Sequence, residues 1–252
     1  MGEQAPEALR AVPADLHIHT CLSPCASLDM TPLNIVRKAR EENLGIIAVT
    51  DHNSAENAAA VMAAGREVDL CVIPGIEVTT SEEAHIVGLF DEVEGALSMQ
   101  ALVYDRLQPG QNDEDLFGIQ VVANALDEVE GINKRLLIGA TTIGLSEVVA
   151  AIHERSGLAL AAHIDRPGFS VVGQLGFIPE DLDLDAVEIS KQMTISQARV
   201  HFKEYRRFSF VTSSDAHSPE EIGASPTCFQ INQPNMAEVR KALAGREGRK
   251  VL

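Results

Sequence analysis

The 252-residue sequence contains no tryptophan, and its aromatic residues total only 4% of the chain. This scarcity argues against a stacking surface for single-stranded nucleic acid or for sugars. No apolar run approaches the roughly 20 residues needed to span a bilayer. Residues 1–10 carry acids and a proline where a signal peptide needs a basic start and an apolar core. We therefore expect a cytoplasmic protein with no membrane partner.

Cysteine and positive charge are also scarce. The four cysteines are too few and too scattered for a disulfide framework, and in a reducing compartment a thiol near histidines suggests metal binding first. Lys and Arg number 20 against 37 Asp and Glu, which gives a net charge of −17. Because such a surface repels phosphate backbones, we expect no long nucleic acid as a partner. The excess of acids also raises the question whether some carboxylates hold metal cations.

Short apolar segments alternate with amphipathic segments along most of the chain. The predicted strands are 14–19, 44–50, 70–74, 84–90, 158–162, 186–189 and 208–212, and the clearest predicted helices are 31–42, 54–68, 146–155 and 235–244. Strands separated by helices predict β-α units and a mostly parallel sheet. So many units within this length favour a closed barrel, and we expect residues 1–252 to form one domain.

Residues 91–145 interrupt this rhythm. Their periodicity is poor, and they include turn-forming residues at 108–113 and an acidic run at 127–130. A structureless loop of this length is unusual in a compact domain. We therefore interpret the segment as an insertion with short helices of its own, a lid or small subdomain over the barrel mouth. An additional β-α unit with weak signals is the alternative.

Histidines and acids follow the predicted strands at the points where the strands end. His17 and His19 alternate along the first strand, so both should face one side, with Leu16 and Ile18 on the other. The other candidates near strand ends are Asp51, His52, Glu77, His85, His163, Asp215 and His217. The C-terminal ends of barrel strands form the active-site face, so the pattern as a whole predicts a divalent-metal site. Each motif alone would also suit a hydrogen-bonded histidine in a half-buried strand.

These motifs resemble those of the polymerase and histidinol phosphatase family of metal-dependent phosphoesterases, called PHP. The resemblance runs in order through His17-x-His19, Thr50-Asp51-His52, Gly75-Ile-Glu77, His85, His163 and Asp215-x-His217. It implies a distorted (β/α)7 barrel of the PHP type, with two or three divalent ions at its mouth. Zinc, iron and manganese are the metals expected.

The resemblance also implies a set of ligands for each ion. The first ion would be held by His17, His19, Glu77 and Asp215. A second ion, bridged by Glu77, would take His85 and His163, and a third would take His52 and His217. Family members commonly supply one more histidine eight positions after the first, where this sequence has Cys25. A thiolate there favours zinc or iron over manganese or magnesium. A disulfide with Cys21 and a packed thiol are the alternatives.

The activity implied by the resemblance is hydrolysis of a phosphate ester by a water or hydroxide that the metals activate. Two catalytic residues are predicted beside the ligands. Arg166 could clamp a phosphate oxygen, or it could pair with Asp165 or another acid. Asp51 could protonate the leaving group, or it could orient His52. Lys191 is a weaker candidate for a phosphate contact.

Two other functions remain open at this point. One is an amidohydrolase-like metal-dependent hydrolase of a C–N bond, and the other is a non-catalytic, metal-binding PHP module. For the phosphoesterase, we expect a small phosphorylated metabolite, a nucleotide or a short oligonucleotide as substrate. The sequence does not predict an oligomeric state.

Overall fold

The computed structural model describes residues 8–252. Nine strands form the main sheet: β1 (Arg10–Ile18), β2 (Ile46–Val49), β3 (Cys71–Thr79), β4 (His85–Leu89), β7 (Leu158–Ala161), β8 (Ala186–Ile189), β9 (Ser209–Thr212), β10 (Thr227–Ile231) and β11 (Lys250–Val251). Their order is β11-β10-β1-β2-β3-β4-β7-β8-β9. The two edge strands, β11 and β9, contact each other, so the sheet is nearly closed into a barrel.

Helices connect and cover these strands. They are α1 (Pro32–Glu41), α2 (Ala58–Arg66), α3 (Val93–Arg106), α4 (Glu114–Phe117), α5 (Leu145–Glu154), α6 (Val171–Leu175), α7 (Ile195–His201) and α8 (Met236–Leu243). The predicted barrel-type α/β fold is confirmed, and most predicted elements lie within a few residues of the observed ones. Among residues 8–252, no helix combines the length and the apolar character that a membrane span requires.

The sheet is less parallel than predicted, since only four of the eight pairings between its neighbouring strands are parallel. β1, β2 and β3 are parallel, and so are β7, β8 and β9, but β10 runs antiparallel to β1 and β11, and β4 runs antiparallel to β3 and β7. A parallel crossover needs a dozen or more residues, and the link from Thr79 to His85 is too short for one. The hairpin has a functional consequence, because His85 at the start of β4 lies at the end where the parallel strands finish.

The core is divided between the barrel interior and the layer beneath the helices. Ile46 and Ala48 of β2 belong to the interior cluster, while Ile47 and Val49 pack with Ile35 of α1 and Val61 of α2. Successive side chains of a strand point to opposite faces, so β2 is apolar throughout because both of its faces are covered. This explains why the strands appear in the sequence as continuous apolar runs.

The segment 91–145 contains α3, α4 and a separate hairpin of β5 (Val121–Ala123) and β6 (Val129–Ile132). Ala96, Met99 and Val103 of α3 are buried in the cluster that also contains α5. Further along, the carboxylate of Asp127 accepts hydrogen bonds from Thr31 Oγ1 (2.8 Å) and Leu33 N (2.9 Å) at the start of α1. The segment is therefore anchored to the barrel at several points.

Candidate metal centre

The side chains of His17 and His19 converge at the end of β1, where their Nε2 atoms lie 3.2 Å apart. The sequence predicted this convergence, but it also placed Leu16 and Ile18 together on the opposite face, and that was wrong. Leu16 lies in the barrel interior, whereas Ile18 packs beneath α1. The register of β1 against β2 shifts between Asp15 and Ile18, and such a bulge re-aims the side chains that follow it.

Glu77 on β3 lies at the centre of the histidine cluster and is fully buried. The nitrogens within 3.4 Å of its carboxylate are His85 Nδ1 (2.8 Å), His17 Nε2 (3.3 Å) and His163 Nε2 (3.4 Å) at Oε1, and His52 Nδ1 (2.9 Å) and His19 Nε2 (3.4 Å) at Oε2. One acid is thus shared by five imidazoles, which come from four strands or the loops that follow them.

Gly75 explains how β3 brings Glu77 so close to its neighbours. A β-carbon at this position would lie 2.8 Å from the carbonyl oxygen of Gly88 and 2.8 Å from Thr50 Cγ2. Such contacts are too short for any other residue without movement of the adjacent strands. The glycine two residues before Glu77 therefore has a packing role in the site.

Asp215 and His217 come from the loop after β9, which pairs with the end of β1 through a bridge between Ile18 and Ala216. Asp215 Oδ1 lies 3.0 Å from His19 Nε2 and 3.3 Å from His17 Nε2. The ring of His217 stacks on that of His19 with centroids 4.1 Å apart.

Backbone strain accompanies the cluster. Both Asp215 (φ 51°) and His163 (φ 32°) adopt left-handed backbone angles. Non-glycine residues in this region cost of order 1–3 kcal/mol each and cluster at functional sites. This cost is consistent with a functional role for Asp215 and His163, because the left-handed backbone does not itself stabilise the fold.

The donor set fits divalent metal ions. Ligands about 2.0–2.3 Å from one ion lie about 3–3.5 Å from each other, which is the spacing observed here. Three groups could each hold an ion: His19, His52 and His217; His17, His19 and Glu77; and His52, Glu77 and His85. Within residues 8–252, both oxygens of Glu77 and the Nδ1 atoms of His52, His85 and His163 are buried, and none of them forms a hydrogen bond of acceptable geometry, even though His52 Nδ1 and His85 Nδ1 lie within 2.9 Å of Glu77. Unpaired buried polar atoms are costly, so their convergence indicates an ion.

The electrostatics of the two acids agree with this assignment. Burial raises the pKa of Glu77, but the charges of His85 and His17 outweigh it and hold that pKa well below its ordinary value. Burial likewise raises the pKa of Asp215, and His17 and His19 reverse the effect. Both carboxylates are therefore ionised at neutral pH, as ligands of a cation must be.

Cys25 lies beside the pair of histidines to which the third ion was assigned. Although the residue as a whole is exposed, the thiol is close enough to His217 and His52 for both imidazoles to change its pKa. Partial burial raises the pKa of this thiol, but the interactions with His217 and His52 outweigh it and lower the pKa to about 6. Cys21, in contrast, is a free and buried thiol whose pKa burial raises to about 12. The two cysteines form no disulfide.

Asp51 does not face the open side of the cluster. Its carboxylate is fully buried and accepts hydrogen bonds from Thr20 N (2.7 Å), Thr20 Oγ1 (2.7 Å) and Ser23 Oγ (2.6 Å). Ser23 Oγ in turn hydrogen-bonds with His19 Nδ1 (2.9 Å) and accepts from His52 N (3.1 Å). This geometry suits a positioning role for Asp51 rather than proton donation. Through Ser23, Asp51 positions the imidazole of His19 and the backbone of His52.

Glu188 on β8 is part of the site, although sequence reasoning missed it. Both of its oxygens lie 3.1 Å from His17 Nδ1, and Oε1 also accepts from His163 N at 3.2 Å. A carboxylate on Nδ1 fixes the imidazole tautomer and leaves Nε2 free for an ion. The only sign of this role in the sequence was the position of Glu188 as an acid inside the otherwise apolar strand β8.

Arg166 lies at the rim of the cluster and donates from Nη1 to Asp215 Oδ2 at 2.5 Å. It does not pair with Asp165, which accepts instead from Ser190 N and Ser190 Oγ. The sequence left two roles open for Arg166, a contact with phosphate and a pair with a nearby acid. The structure shows the pair, and its acid, Asp215, is itself a candidate metal ligand. Lys191 pairs with Glu221 at 2.6 Å and does not line the cavity.

A cavity of about 210 Å³ opens over these side chains. Its lining residues are His52, Glu77, His85, Ile138, His163, Arg166, Gly168, Phe169, Asp215 and His217. Phe169 is an exposed aromatic ring stacked on His85 with centroids 5.0 Å apart. Ile138 belongs to the segment 91–145, whose residues Leu137 and Gly139 accept hydrogen bonds from Asn53 Nδ2.

Comparison with known proteins agrees with this arrangement. Residues 15–173 match the PHP domain family, and residues 200–248 match a second family described as PHP-associated. The chain belongs to the PHP domain family. The PHP match includes seven of the predicted ligands, and the remaining two, Asp215 and His217, fall inside the PHP-associated match.

Two curated relatives of this PHP chain are 5′-3′ exoribonucleases named Rnm. The Salmonella typhimurium protein is 38% identical over 97 residues, which cover 35% of this chain and 31% of the relative. The Escherichia coli protein is 31% identical over 148 residues, which cover 53% and 46%. The chain thus spans less than half the length of these relatives.

A solved structure shows the same fold. The lesion-specific endonuclease Q of Pyrococcus furiosus superimposes with a TM-score of 0.75 at 19% identity, and the match covers 96% of this chain and 58% of that one. Both types of relative bear the names of nucleases. The expectation that the net charge excludes a long nucleic acid as a partner is therefore in partial conflict with the comparisons.

Proposed function

We propose that this PHP protein hydrolyses phosphate esters with the help of two or three divalent ions. The residues that would hold the ions are His17, His19, Cys25, His52, Glu77, His85, His163, Asp215 and His217. The observation that supports the proposal best is the buried Glu77 carboxylate, whose oxygens lie within 3.4 Å of five imidazole nitrogens. Bound ions would lower the pKa of water and offset negative charge on the phosphate.

The protein side chains prepare the site for this chemistry. Glu188 holds the tautomer of His17, and Asp51 holds Ser23 against His19. Arg166 reaches the cavity from its rim, where a guanidinium can bind two phosphate oxygens in a fork. We assign to Arg166 the binding of the substrate phosphate, and to Asp51 and Glu188 the positioning of imidazoles.

The shape of the cavity favours a small substrate or the end of a longer one. Its volume of about 210 Å³ is below the range of about 300–1,000 Å³ that is common for ligand sites. Phe169 offers a flat apolar surface at the rim. We propose a phosphorylated metabolite, a nucleotide or the terminal nucleotide of a strand as substrate. The names of the exoribonuclease relatives support the last of these.

The segment 91–145 contributes to the proposed pocket. Ile138 lines the cavity, and Asn53 fixes the residues on either side of it. We propose that this part of the segment covers one side of the mouth of a single barrel domain.

The four free cysteines support a reducing compartment such as the cytosol.

Metal analysis combined with a release assay tests the proposed function. We expect at least two equivalents of zinc, iron or manganese per purified chain, and phosphate release from monoesters, bisphosphates or p-nitrophenyl diesters. Chelation should abolish release, and added metal should restore it. Fewer than two equivalents together with no release under any of the three metals would contradict the proposal. Hydrolysis of amide substrates alone would favour the C–N bond hydrolase.

Replacing Cys25 with Ser tests its assignment to the third ion. A hydroxyl is a much weaker ligand than a thiolate, so we expect metal content to fall by about one equivalent, while the ions near His17 and Glu77 stay bound. The matched control is Cys71→Ser, since Cys71 lies outside the cluster and burial raises its pKa to about 11. Equal metal content in both variants would assign Cys25 to packing.

A further inference from the structure

Positive charge is unevenly distributed along the chain. Residues 199–252 contain nine Lys and Arg against six Asp and Glu, while residues 1–198 contain eleven against 31. The last 54 residues thus carry a net charge of +3 in a protein of net charge −17. The net charge therefore says little about this part of the surface, because at physiological salt charges are screened beyond about 8 Å.

The structure gathers seven of these nine cations around two adjoining cavities. The first, of about 660 Å³, is lined by Arg207, Arg240, Lys241 and Arg246, and the second, of about 470 Å³, is lined by Arg199, Arg206 and Lys250. Phe208 and Ser209 line both, so the two cavities lie side by side.

Five of these cations are exposed and form what we call the basic face: Arg199, Arg206, Arg207, Arg246 and Lys250. Within residues 8–252, none of the five pairs with a carboxylate. Arg206 Nε donates to the carbonyl oxygen of Arg199, and Arg207 Nη2 donates to that of Pro179. The positive charge of the face is therefore not neutralised by the described part of the protein.

The acids that line the first cavity are already engaged. Asp91 pairs with Arg240 at 3.1 Å, and Glu247 pairs with Lys241 at 2.7 Å. Asp185 Oδ2 accepts from Ala159 N at 2.8 Å. The second cavity has no acid among its lining residues. Together the two cavities have seven cations and three acids in their linings, so an anion is attracted there.

The basic face lies at the opposite end of the barrel from the metal centre. Ser209, which lines both cavities, is the first residue of β9, whereas Asp215 follows the last. The length of β9 alone separates the two regions by at least about 10 Å. An anion on the basic face is therefore not in contact with the candidate metal ligands.

We propose that the basic face binds the phosphodiester backbone of a nucleic-acid strand, as a second contact remote from the metal centre. Exposed cations spread over two adjoining cavities suit a series of phosphates better than one isolated phosphate. Guanidinium groups, which provide four of the five charges, bind phosphate oxygens in pairs. Binding at this face does not require the metal centre. A failure of RNA binding can therefore be told apart from a failure of the proposed phosphate-ester hydrolysis.

The test is the affinity for a fluorescein-labelled single-stranded RNA of about 20 nucleotides, measured by anisotropy at several salt concentrations with a chelator present. The variant combines Arg199→Gln, Arg246→Gln and Lys250→Gln, which remove no described ion pair. We expect Kd to rise at least tenfold, and the slope of log Kd against log salt to fall by about 2, because each lost contact with a single strand removes about 0.7.

The control variant combines Arg37→Gln, Lys38→Gln and Arg40→Gln on α1, which changes the net charge by the same amount. Its Kd should stay within twofold of that of the unmodified protein. Equal weakening by both variants, or no weakening by either, would overturn the assignment. Displacement of the RNA by tripolyphosphate at equal phosphate concentration would identify a free polyphosphate as the ligand instead. The basic-face variant should hydrolyse p-nitrophenyl phosphate at the unmodified rate.

Discussion

Replacing Glu77 with Gln should reduce kcat/KM for phosphate-ester hydrolysis by about 1,000-fold or more. Loss of a hydrogen-bond partner behind a ligand commonly costs 10–100-fold in metal affinity or activity, and a central ligand should cost more. Gln keeps the shape of the side chain but removes the negative charge that faces five imidazoles. We expect metal content to fall by at least one equivalent, as measured by mass spectrometry of the purified protein.

The control for Glu77→Gln is Glu83→Gln. Glu83 is an exposed acid in the loop that joins β3 to β4, and it lies outside the cavity lining. It should retain full activity and full metal content. Melting temperatures in the presence of a chelator separate an effect on the ions from an effect on folding. Normal hydrolysis by Glu77→Gln would remove the central premise of the proposed function.

Replacing Arg166 with Gln should lower kcat/KM by about 100-fold, which is the typical loss for one charged or hydrogen-bonding group that stabilises a transition state. Arg166→Lys should fall between this variant and the unmodified protein, because an ammonium keeps the charge but not the two-pronged geometry. Steady-state kinetics with one phosphomonoester measures both, and metal content should not change.

Arg37→Gln is the matched control, since Arg37 is an exposed arginine on the outer side of α1. Arg166 also hydrogen-bonds with Asp215, so a second role must be distinguished. If Arg166→Gln loses metal along with activity, the residue positions Asp215 rather than binding the substrate. Unchanged kinetics would exclude both roles.

Much of the site could be predicted from the sequence because its residues stand at the ends of apolar segments. His17, His163 and Asp215 each lie at or just after a strand, and barrel topology brings such ends together. Short-range patterns also predicted α1, whose first residue is Pro32, and β8, whose bounds were predicted without error.

Other features depend on contacts between distant residues. The sequence placed Leu16 and Ile18 on one face, because alternation holds only for a regular strand, and it could not show the bulge in β1. It gave no sign that Asp127, 94 residues from Leu33, caps α1. Glu188 appeared as one acid in a strand until the fold placed it 3.1 Å from His17.

The sequence by itself determined the α/β barrel and most of the residues that converge at its mouth. Local periodicity shows where the strands end, and the topology of a barrel brings those ends together. Only the tertiary structure decided which acids position imidazoles, that Arg166 pairs with Asp215, and that seven of the nine cations of the last 54 residues line two adjoining cavities. Composition gives a sum over all charges, but a binding partner responds to the charges within a screening length of it.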